Sequence, residues 1–287
     1  MSAPSVTVIT GTSSGFGYDT ARLLAAAGHR VYGTMRDIGG RSAEAARALG
    51  ALGITAVEMD ITDEASVGRG AAKILDAEGH VDVLINNAGA SYMGPLEAFT
   101  PEALERQLSL NIVGPFRVSR AFLPGMRTQR SGLVVFVSSL AGRVVVPFMG
   151  PYSASKWGLE ALAEAFSYEL HPFGVEVAIV EPGAFSTNIG NSRTEPDDAA
   201  RLASYGDVAK GAGQVGAGLA ASARNPIEVA EAIAALVALP AGTRPLRTVL
   251  PPDAPAAAIN KLTAPIQRET LERFGLTAYL SPERATV

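Results

Sequence analysis

Residues 6–17 read VTVITGTSSGFG, and this short stretch combines three structural signals. The β-branched residues at 6–10 predict a buried strand, and the pattern at 18–27 predicts a helix. Between them lies a GxxxGxG turn rather than the more common GxGxxG. A strand, a glycine-rich turn and a helix form a dinucleotide-binding unit, although a tight turn without a ligand is the alternative. The cofactor contacts predicted from this loop are Gly11, Ser13, Ser14, Gly15, Phe16 and Gly17.

Apolar runs alternate with helical patterns along most of the chain. The strands are predicted at residues 6–10, 29–37, 55–59, 81–85, 134–137, 175–180 and 247–250. This alternation predicts an α/β fold, a Rossmann-like doubly wound parallel seven-stranded sheet with helices on both faces. We expect a single domain over residues 1–287. It includes a substrate lid at about 188–225 and a C-terminal extension at 251–287 with no assigned role.

The end of the second predicted strand bears on cofactor choice. In NAD-binding units an acidic residue at this place bonds the adenosine ribose, whereas an arginine suits a 2′-phosphate. Met35 occupies the position of the acid and Arg36 follows it, so NADP(H) is favoured and NAD(H) remains the alternative. Asp37 would repel a phosphate and is expected to point away. The other interpretation is that Arg36 is only a solvated charge.

The ends of the third and fourth predicted strands supply further cofactor contacts. Asp60 and Ile61 follow the third strand, where the Asp60 carboxylate could accept from an adenine amino group. Asn87, Ala88 and Gly89 follow the fourth, and their small size would let a cofactor lie against the strand end. The asparagine could equally bond the backbone of adjacent turns.

Tyr152 and Lys156 are four residues apart in a predicted helix, so they share one face. An ammonium near a phenol favours the phenolate, which lowers the tyrosine pKa and suits proton transfer. A serine at the end of the preceding strand, Ser138 or Ser139, could hold the reacting oxygen. Asn111 lies inside a helix predicted to start at Thr100, where asparagine is a poor helix former and marks a weak point. A bend next to the following proline is the alternative explanation.

Composition excludes several classes of function. The chain has 287 residues, of which 47% are hydrophobic, and its net charge is −4. No basic surface for nucleic acid is therefore expected. The absence of cysteine excludes thiolate catalysis, and the three histidines lack metal-ligand spacing, so no metal site is expected. There is no signal-peptide pattern and no membrane-spanning apolar run, so we expect a soluble, cytoplasmic protein without membrane partners.

Taken together, six motifs resemble those of the short-chain dehydrogenase/reductase family. They are Thr10-Gly11-x-x-x-Gly15-x-Gly17, Asn86-Asn87-Ala88-Gly89, Asn111, Ser139, Tyr152-x-x-x-Lys156 and Pro182-Gly183-x-x-x-Thr187. The resemblance covers about residues 5–250 and implies a nicotinamide-dependent oxidoreductase. A closer similarity to 17β-hydroxysteroid dehydrogenases rests on residues 31–37, 114–124 and 147–152.

The resemblance implies a role for each matched residue. Tyr152 would be the general acid in ketone reduction, or the base in alcohol oxidation. Lys156 would bond the nicotinamide ribose and lower the Tyr152 pKa, and Ser139 would hold the substrate oxygen. Ser139 is preferred to Ser138 because it lies thirteen residues before Tyr152. Asn111 would anchor a water that leads protons towards Lys156.

The resemblance also implies contacts and partners. Pro182, Gly183 and Thr187 would hold the carboxamide end of the nicotinamide. Ser14 stands where many NADP-dependent members carry a basic residue, so Arg36 is the main argument for NADP(H). A homodimer or homotetramer is expected through helices at 101–127 and 151–171.

The substrate is expected to be a small hydrophobic carbonyl compound or alcohol. This expectation rests on apolar and aromatic candidates for the pocket wall: Tyr92, Leu140, Val145, Phe148, Met149 and Phe185. One rival hypothesis is a non-catalytic NADP-sensing regulator on the same fold, which fold alone does not exclude. An epimerase or dehydratase of the related extended branch is a weaker rival, because the chain is short and its glycine spacing fits less well.

Overall fold

A computed structural model describes residues 4–187 and 193–280. Its centre is a seven-stranded sheet in the order β3-β2-β1-β4-β5-β6-β7, in which all neighbouring strands are parallel. The strands are β1 (Val6–Thr10), β2 (Arg30–Met35), β3 (Thr55–Glu58), β4 (Val83–Asn86), β5 (Gly132–Val137), β6 (Val175–Pro182) and β7 (Arg247–Leu250). The predicted doubly wound sheet is therefore confirmed.

Helices cover both faces because alternate strand residues enter two separate cores. In β5, Val134 and Phe136 pack in one core, whereas Leu133, Val135 and Val137 pack in the other. The helices are α1 (Gly15–Ala26), α2 (Ala43–Gly50), α3 (Glu64–Glu78), α4 (Pro101–Leu108), α5 (Gly114–Gln129), α6 (Gly150–Leu170), α7 (Ala199–Ser204), α8 (Lys210–Ala221), α9 (Ile227–Ala238) and α10 (Pro255–Arg273). The first core contains residues of α3, α5 and α6, and the second contains residues of α1, α2 and α9.

The weak point predicted at Asn111 is a turn of π-helix. Thr100 caps α4 by accepting from the Ala103 N–H at 3.2 Å. The α-helical pattern stops after Leu108, and residues Ser109–Val113 form the π-helical turn before α5 begins. Such turns widen the helix locally and are frequent at functional sites.

The two segments predicted to lie beside the site are largely helical in their described parts. Residues 193–223 contain α7 and α8, whereas residues 188–192 of the predicted lid lie outside the described chain. In the C-terminal extension, α10 is attached to the sheet by Asn260, whose amide donates to Glu181 Oε2 at 2.7 Å. No helix in the described ranges is long and apolar enough to cross a membrane.

Candidate active site

A cleft of about 770 Å³ lies at the carboxyl ends of the strands. The strand ends meet there because all strands of the sheet run in the same direction, and ligands of such sheets bind at this edge. The predicted cofactor residues that line it are Gly11, Ser13, Ser14, Gly15, Phe16, Arg36, Asp60, Ile61, Asn87, Ala88, Gly89, Tyr152, Lys156, Pro182, Gly183 and Thr187. The remaining predicted contact, Gly17, does not line the cleft.

Gly17 instead lies behind the glycine loop. A Cβ at this position would clash with Asn87 Nδ2 and lie 2.5 Å from the Gly11 carbonyl oxygen. The Asn87 amide donates to the carbonyls of Thr10, at 2.9 Å, and Gly11, at 3.1 Å. Gly17 therefore allows α1 to approach the end of β4, and Asn87 fixes the loop that faces the cleft.

The loop itself requires glycine at Gly11. Its φ is +73°, which favours glycine, and a Cβ would lie 2.8 Å from Ala88 Cα. The first turn of α1 carries no acidic residue, and the Ser14 side chain makes no capping hydrogen bond. Backbone N–H groups and the positive end of the helix dipole are therefore available at the cleft, as a pyrophosphate requires.

The strand-end arginine, Arg36, has a carboxylate neighbour, and a second arginine lines the same cleft. Arg36 Nη1 lies 3.7 Å from Asp60 Oδ2. Burial acts to raise the pKa of Asp60, but hydrogen bonds from Thr62 and the charge of Arg36 outweigh it, so this pKa is lowered. Arg41 also lines the cleft, whereas the Asp37 carboxylate accepts from the Arg41 backbone N–H at 3.0 Å and does not line it. Sequence reasoning did not include Arg41 among the cofactor contacts, and the structure places it in the loop between β2 and α2.

Ser139 and Tyr152 lie where the cleft meets a second cavity of about 670 Å³, and both line each of them. The Ser139 hydroxyl accepts from the Ala141 N–H at 3.2 Å and donates to the Pro182 carbonyl at 3.4 Å. It also lies close enough to the Tyr152 side chain to affect the pKa of the phenol. Ser138 lines the cleft but not the second cavity. Its buried hydroxyl has no hydrogen-bond partner among the described residues. The position of Ser139 fits contact with a substrate oxygen better than that of Ser138.

Burial dominates the protonation of the Tyr152/Lys156 pair. It raises the pKa of Tyr152, and the nearby Ser139 hydroxyl acts in the opposite direction. Burial also lowers the pKa of Lys156 to about 8, partly offset by the charge of Glu160. Lys156 Nζ lies 5.8 Å from the Tyr152 ring centroid and donates to the Val137 carbonyl at 2.8 Å. The net shift of the Tyr152 pKa is therefore upward, opposite to the lowering expected from the sequence, because desolvation is its largest cause. A separate effect of the Lys156 ammonium on this pKa stays a prediction.

Asn111 is buried behind the cleft and does not line it. Its side-chain amide donates to the Ala90 carbonyl and to Ser155 Oγ, both at 2.9 Å, and its side-chain oxygen accepts from the Ala90 N–H at 3.0 Å. The residue thus fastens the loop after β4 to α6. Its role in anchoring a water remains a prediction.

The second cavity has mostly apolar walls. Three predicted wall residues line it: Leu140, Met149 and Phe185. Tyr92 lines the cofactor cleft instead, and Val145 and Phe148 line neither space. The wall residues that sequence reasoning missed include Arg193 and three residues of α8: Gly216, Leu219 and Ala220.

The chain is similar to known oxidoreductases over most of its length. A family model described as short chain dehydrogenase matches residues 5–198. The 3-ketodihydrosphingosine reductase of Bacteroides thetaiotaomicron is 37% identical over 204 residues, 71% of this chain and 72% of that protein. Human 17-beta-hydroxysteroid dehydrogenase type 1 is 41% identical over 192 residues, 64% of this chain and 58% of that protein. The resemblance to the hydroxysteroid dehydrogenase branch is thereby confirmed.

Solved structures agree with the fold. A short-chain dehydrogenase from Streptomyces avermitilis superposes with a TM-score of 0.78 at 33% identity, covering 97% of this chain and 98% of that chain. An alcohol dehydrogenase from the archaeon Thermococcus sibiricus, complexed with 5-hydroxy-NADP, has a TM-score of 0.69 at 29% identity. That match covers 85% of this chain and 95% of the other.

Proposed function

Because the chain belongs to the short-chain dehydrogenase family, we propose that it is an NADP(H)-dependent oxidoreductase that interconverts a hydrophobic secondary alcohol and its ketone. The observation that carries this proposal is the junction at Ser139 and Tyr152, where a cleft suited to a dinucleotide opens into a largely apolar cavity. Relatives named as a ketodihydrosphingosine reductase and a hydroxysteroid dehydrogenase support a ketone or secondary alcohol.

The residues of the cleft fit NADP(H). The open N-terminus of α1 would hold the pyrophosphate, and Arg36 with Arg41 would hold the 2′-phosphate. Lys156 would bond the nicotinamide ribose, and the Pro182–Thr187 turn would hold the carboxamide. The bound cofactor supplies the hydride. A related alcohol dehydrogenase with a bound NADP derivative supports the choice of cofactor.

The side chains at the junction would exchange the proton. Ser139 and Tyr152 would both donate hydrogen bonds to the carbonyl oxygen of a ketone, which stabilises the negative charge that develops there. Because burial raises the Tyr152 pKa, the phenol is protonated at neutral pH and ready to act as the acid of ketone reduction. Lys156, with a pKa of about 8, is mostly cationic at pH 7 and favours the phenolate left after proton transfer.

Titration of the purified protein with NADPH and with NADH tests the cofactor. We expect tighter binding of NADPH, and the preference should shrink in Arg36→Ala and again in Arg36→Ala combined with Arg41→Ala. Arg30→Ala is the control, since its guanidinium pairs with Glu78 and does not line the cleft. Equal binding of NADH by the parent would show that no phosphate contacts these arginines.

Tyr152→Phe separates an enzyme from a regulator that binds NADP without turnover. Removal of a positioned general acid should lower kcat for ketone reduction by about 100- to 10,000-fold. The affinity for NADPH should stay close to that of the parent. A parent protein that binds NADPH but reduces no ketone would support the regulator instead.

The proposal extends to a homodimer or homotetramer. It is supported by apolar side chains that α5, α6 and the π-helical turn leave exposed, namely Val113, Phe116 and Trp157. Light scattering after size-exclusion chromatography would test it, and Phe116→Glu should shift the protein towards the monomer.

A further inference from the structure

Arg193 is the one charged side chain among the described residues that line the second cavity. The other walls are mainly Ala, Val, Leu, Met and Phe, with hydroxyl groups from Ser91 and Ser186. Arg193 is partly buried, and even partial desolvation of a guanidinium among apolar walls is unfavourable unless the group meets a partner. Its presence is unexpected in a cavity that serves a purely hydrophobic substrate.

The guanidinium is held against the cavity wall by packing. Its Nη1 donates to Met93 Sδ at 3.5 Å, and a Cβ at Gly216 of α8 would lie 2.8 Å from the same nitrogen. Met93 belongs to the small buried cluster that also contains Tyr152. The Arg193 guanidinium therefore enters the cavity between Met93, which packs in the cluster with Tyr152, and Gly216 of α8.

The described part of the chain leaves most of this charge unmatched. A thioether is a weak acceptor, whereas a guanidinium has five N–H donors. No carboxylate in residues 4–187 and 193–280 forms an ion pair with Arg193. Arg193 does not line the cofactor cleft either, although Thr194 does, so the cofactor phosphates do not account for it.

We propose that Arg193 binds an anionic oxygen group of the substrate, which makes the preferred substrate an amphiphile with a ketone or alcohol, an apolar body and an oxyanion such as a carboxylate or phosphate ester. This inference rests on the proposed function and refines its substrate class. Guanidinium pairs with carboxylate and phosphate through two parallel hydrogen bonds, and the low-polarity walls strengthen such a pair. A cationic substrate of the same shape would be disfavoured.

Matched ketones test the inference directly. Methyl ketones of increasing chain length would be compared as the terminal carboxylate, its methyl ester and the terminal amine, with NADPH as reductant. The parent should favour the carboxylate over the ester by about 10- to 100-fold in kcat/KM, as expected for a charged hydrogen bond. Arg193→Met should remove this preference, mainly by lowering kcat/KM for the carboxylate, and Arg193→Lys should keep part of it.

Arg201→Met is the matched control, because it removes the same charge from exposed α7 outside the cavity. It should keep the preference for the carboxylate. Equal kcat/KM for carboxylate and ester in the parent, or a preference that survives in Arg193→Met, would overturn the inference.

A binding experiment keeps the inference testable if no ketone is reduced, an outcome that would count against the proposed function alone. Calorimetry would compare decanoate, its methyl ester and decyl phosphate on the NADPH-loaded parent and on Arg193→Met. Tighter binding of either anion to the parent alone supports the inference and identifies the preferred oxyanion. The inference is rejected if the parent binds the anions and the ester equally well. It is also rejected if the parent and Arg193→Met bind the anions equally well.

Discussion

The two spaces of the candidate site have walls of different kinds. The cofactor cleft is formed by strand ends and by loops packed on a buried sheet, and every residue of β6 from Val175 to Pro182 is buried. The second cavity is partly formed by α8, in which no residue is buried. Parallel strand pairing fixes the position of each residue in the wall of the cleft. The α8 part of the cavity wall depends instead on a few contacts of one surface helix.

The composition of α8 strengthens this contrast. Its sequence KGAGQVGAGLAA contains four glycines, each of which costs a helix about 1 kcal/mol relative to alanine. Only Ala212, Val215 and Leu219 of this helix pack on the cluster around Tyr152. A wall with weak helix propensity and few contacts is suited to open and close, which supports the prediction of a substrate lid.

The strand-end wall should not tolerate a single added methyl group. Gly17→Ala places a Cβ against Asn87 and the Gly11 carbonyl, so we expect a loss of about 2–4 kcal/mol in stability and severe weakening of NADPH binding. Thermal unfolding and NADPH titration measure both effects. Gly68→Ala in α3 is the control, since its Cβ would meet nothing within 4 Å. Normal NADPH binding by Gly17→Ala would show that the wall is less rigid than the structure indicates.

The protonation state of Lys156 should control how kcat/KM for NADPH depends on pH. The pKa of about 8 means that the ammonium is charged below pH 8 and neutral above it. We therefore expect kcat/KM for NADPH to fall above about pH 8, by up to tenfold per pH unit, because kcat/KM reports the free enzyme. Lys156→Arg keeps its charge and should remove this fall even if its activity is low. A profile that stays flat to pH 10 in the parent would contradict the prediction.

A buried carboxylate supports the strand-end wall from behind. Glu181 is fully buried just before the Pro182–Gly183 turn, where Arg247 Nε lies 3.3 Å from its Oε1. Burial and the charge of Glu160 raise its pKa to about 7, against the opposing effects of Asn260, Arg247 and Arg143.

Because this pKa is raised on folding, the stability that Glu181 contributes is complete below about pH 4.5 and is lost as the pH rises through 7. Each pKa unit corresponds to about 1.4 kcal/mol. Glu181→Gln should therefore lose less stability than the parent between pH 5 and pH 8 in denaturant unfolding. Glu105→Gln, an exposed carboxylate on α4, should follow the parent. Parallel pH curves for Glu181→Gln and the parent would show that Glu181 ionises normally.

The smallest effect should come from the helical wall. Gly213→Ala meets nothing within 4 Å, so it should stabilise α8 by up to about 1 kcal/mol. If α8 moves during turnover, this change should alter kcat or KM for the ketone by a few-fold while leaving NADPH affinity unchanged. Hydrogen exchange of α8 amides should slow in the variant. A kcat and a KM both equal to those of the parent would argue against a moving lid.

This contrast also explains what the sequence could predict. Alternating apolar runs were enough for the sheet, because parallel strands must be buried on both faces and their ends must meet at one edge. The end of each strand then indicated Arg36, Asp60 and Asn87 as lining residues, and the structure places all three in the cleft. The exact strand ends were predicted less accurately: β4 spans Val83–Asn86, whereas residues 81–85 were predicted. Asp82 lies just before the strand, and its carboxylate accepts from the Val6 N–H.

Features that depend on long-range folding were not predicted. Arg41 and Arg193 enter the site from loops whose path no local pattern specifies. The spacing of Tyr152 and Lys156 predicted that they share a helix face, but it did not indicate how deeply they are buried. It therefore could not show that burial raises the Tyr152 pKa. Val145 was expected in the pocket wall but is 64% exposed. The prediction failed because nothing in the apolar run 144–149 indicates which side chains face the cavity.

The central claim is that the cleft and the cavity act as one site, with hydride and proton delivered at the Ser139–Tyr152 junction. NADPH deuterated at C4 of the nicotinamide, with the label on either face in separate preparations, tests it with the methyl ketone esters described above. We expect one deuterium on the carbinol carbon of the product from one labelled form and none from the other, and product formation by Tyr152→Phe that is slower by at least about 100-fold. A parent protein that binds NADPH tightly yet never transfers deuterium to carbon would contradict it.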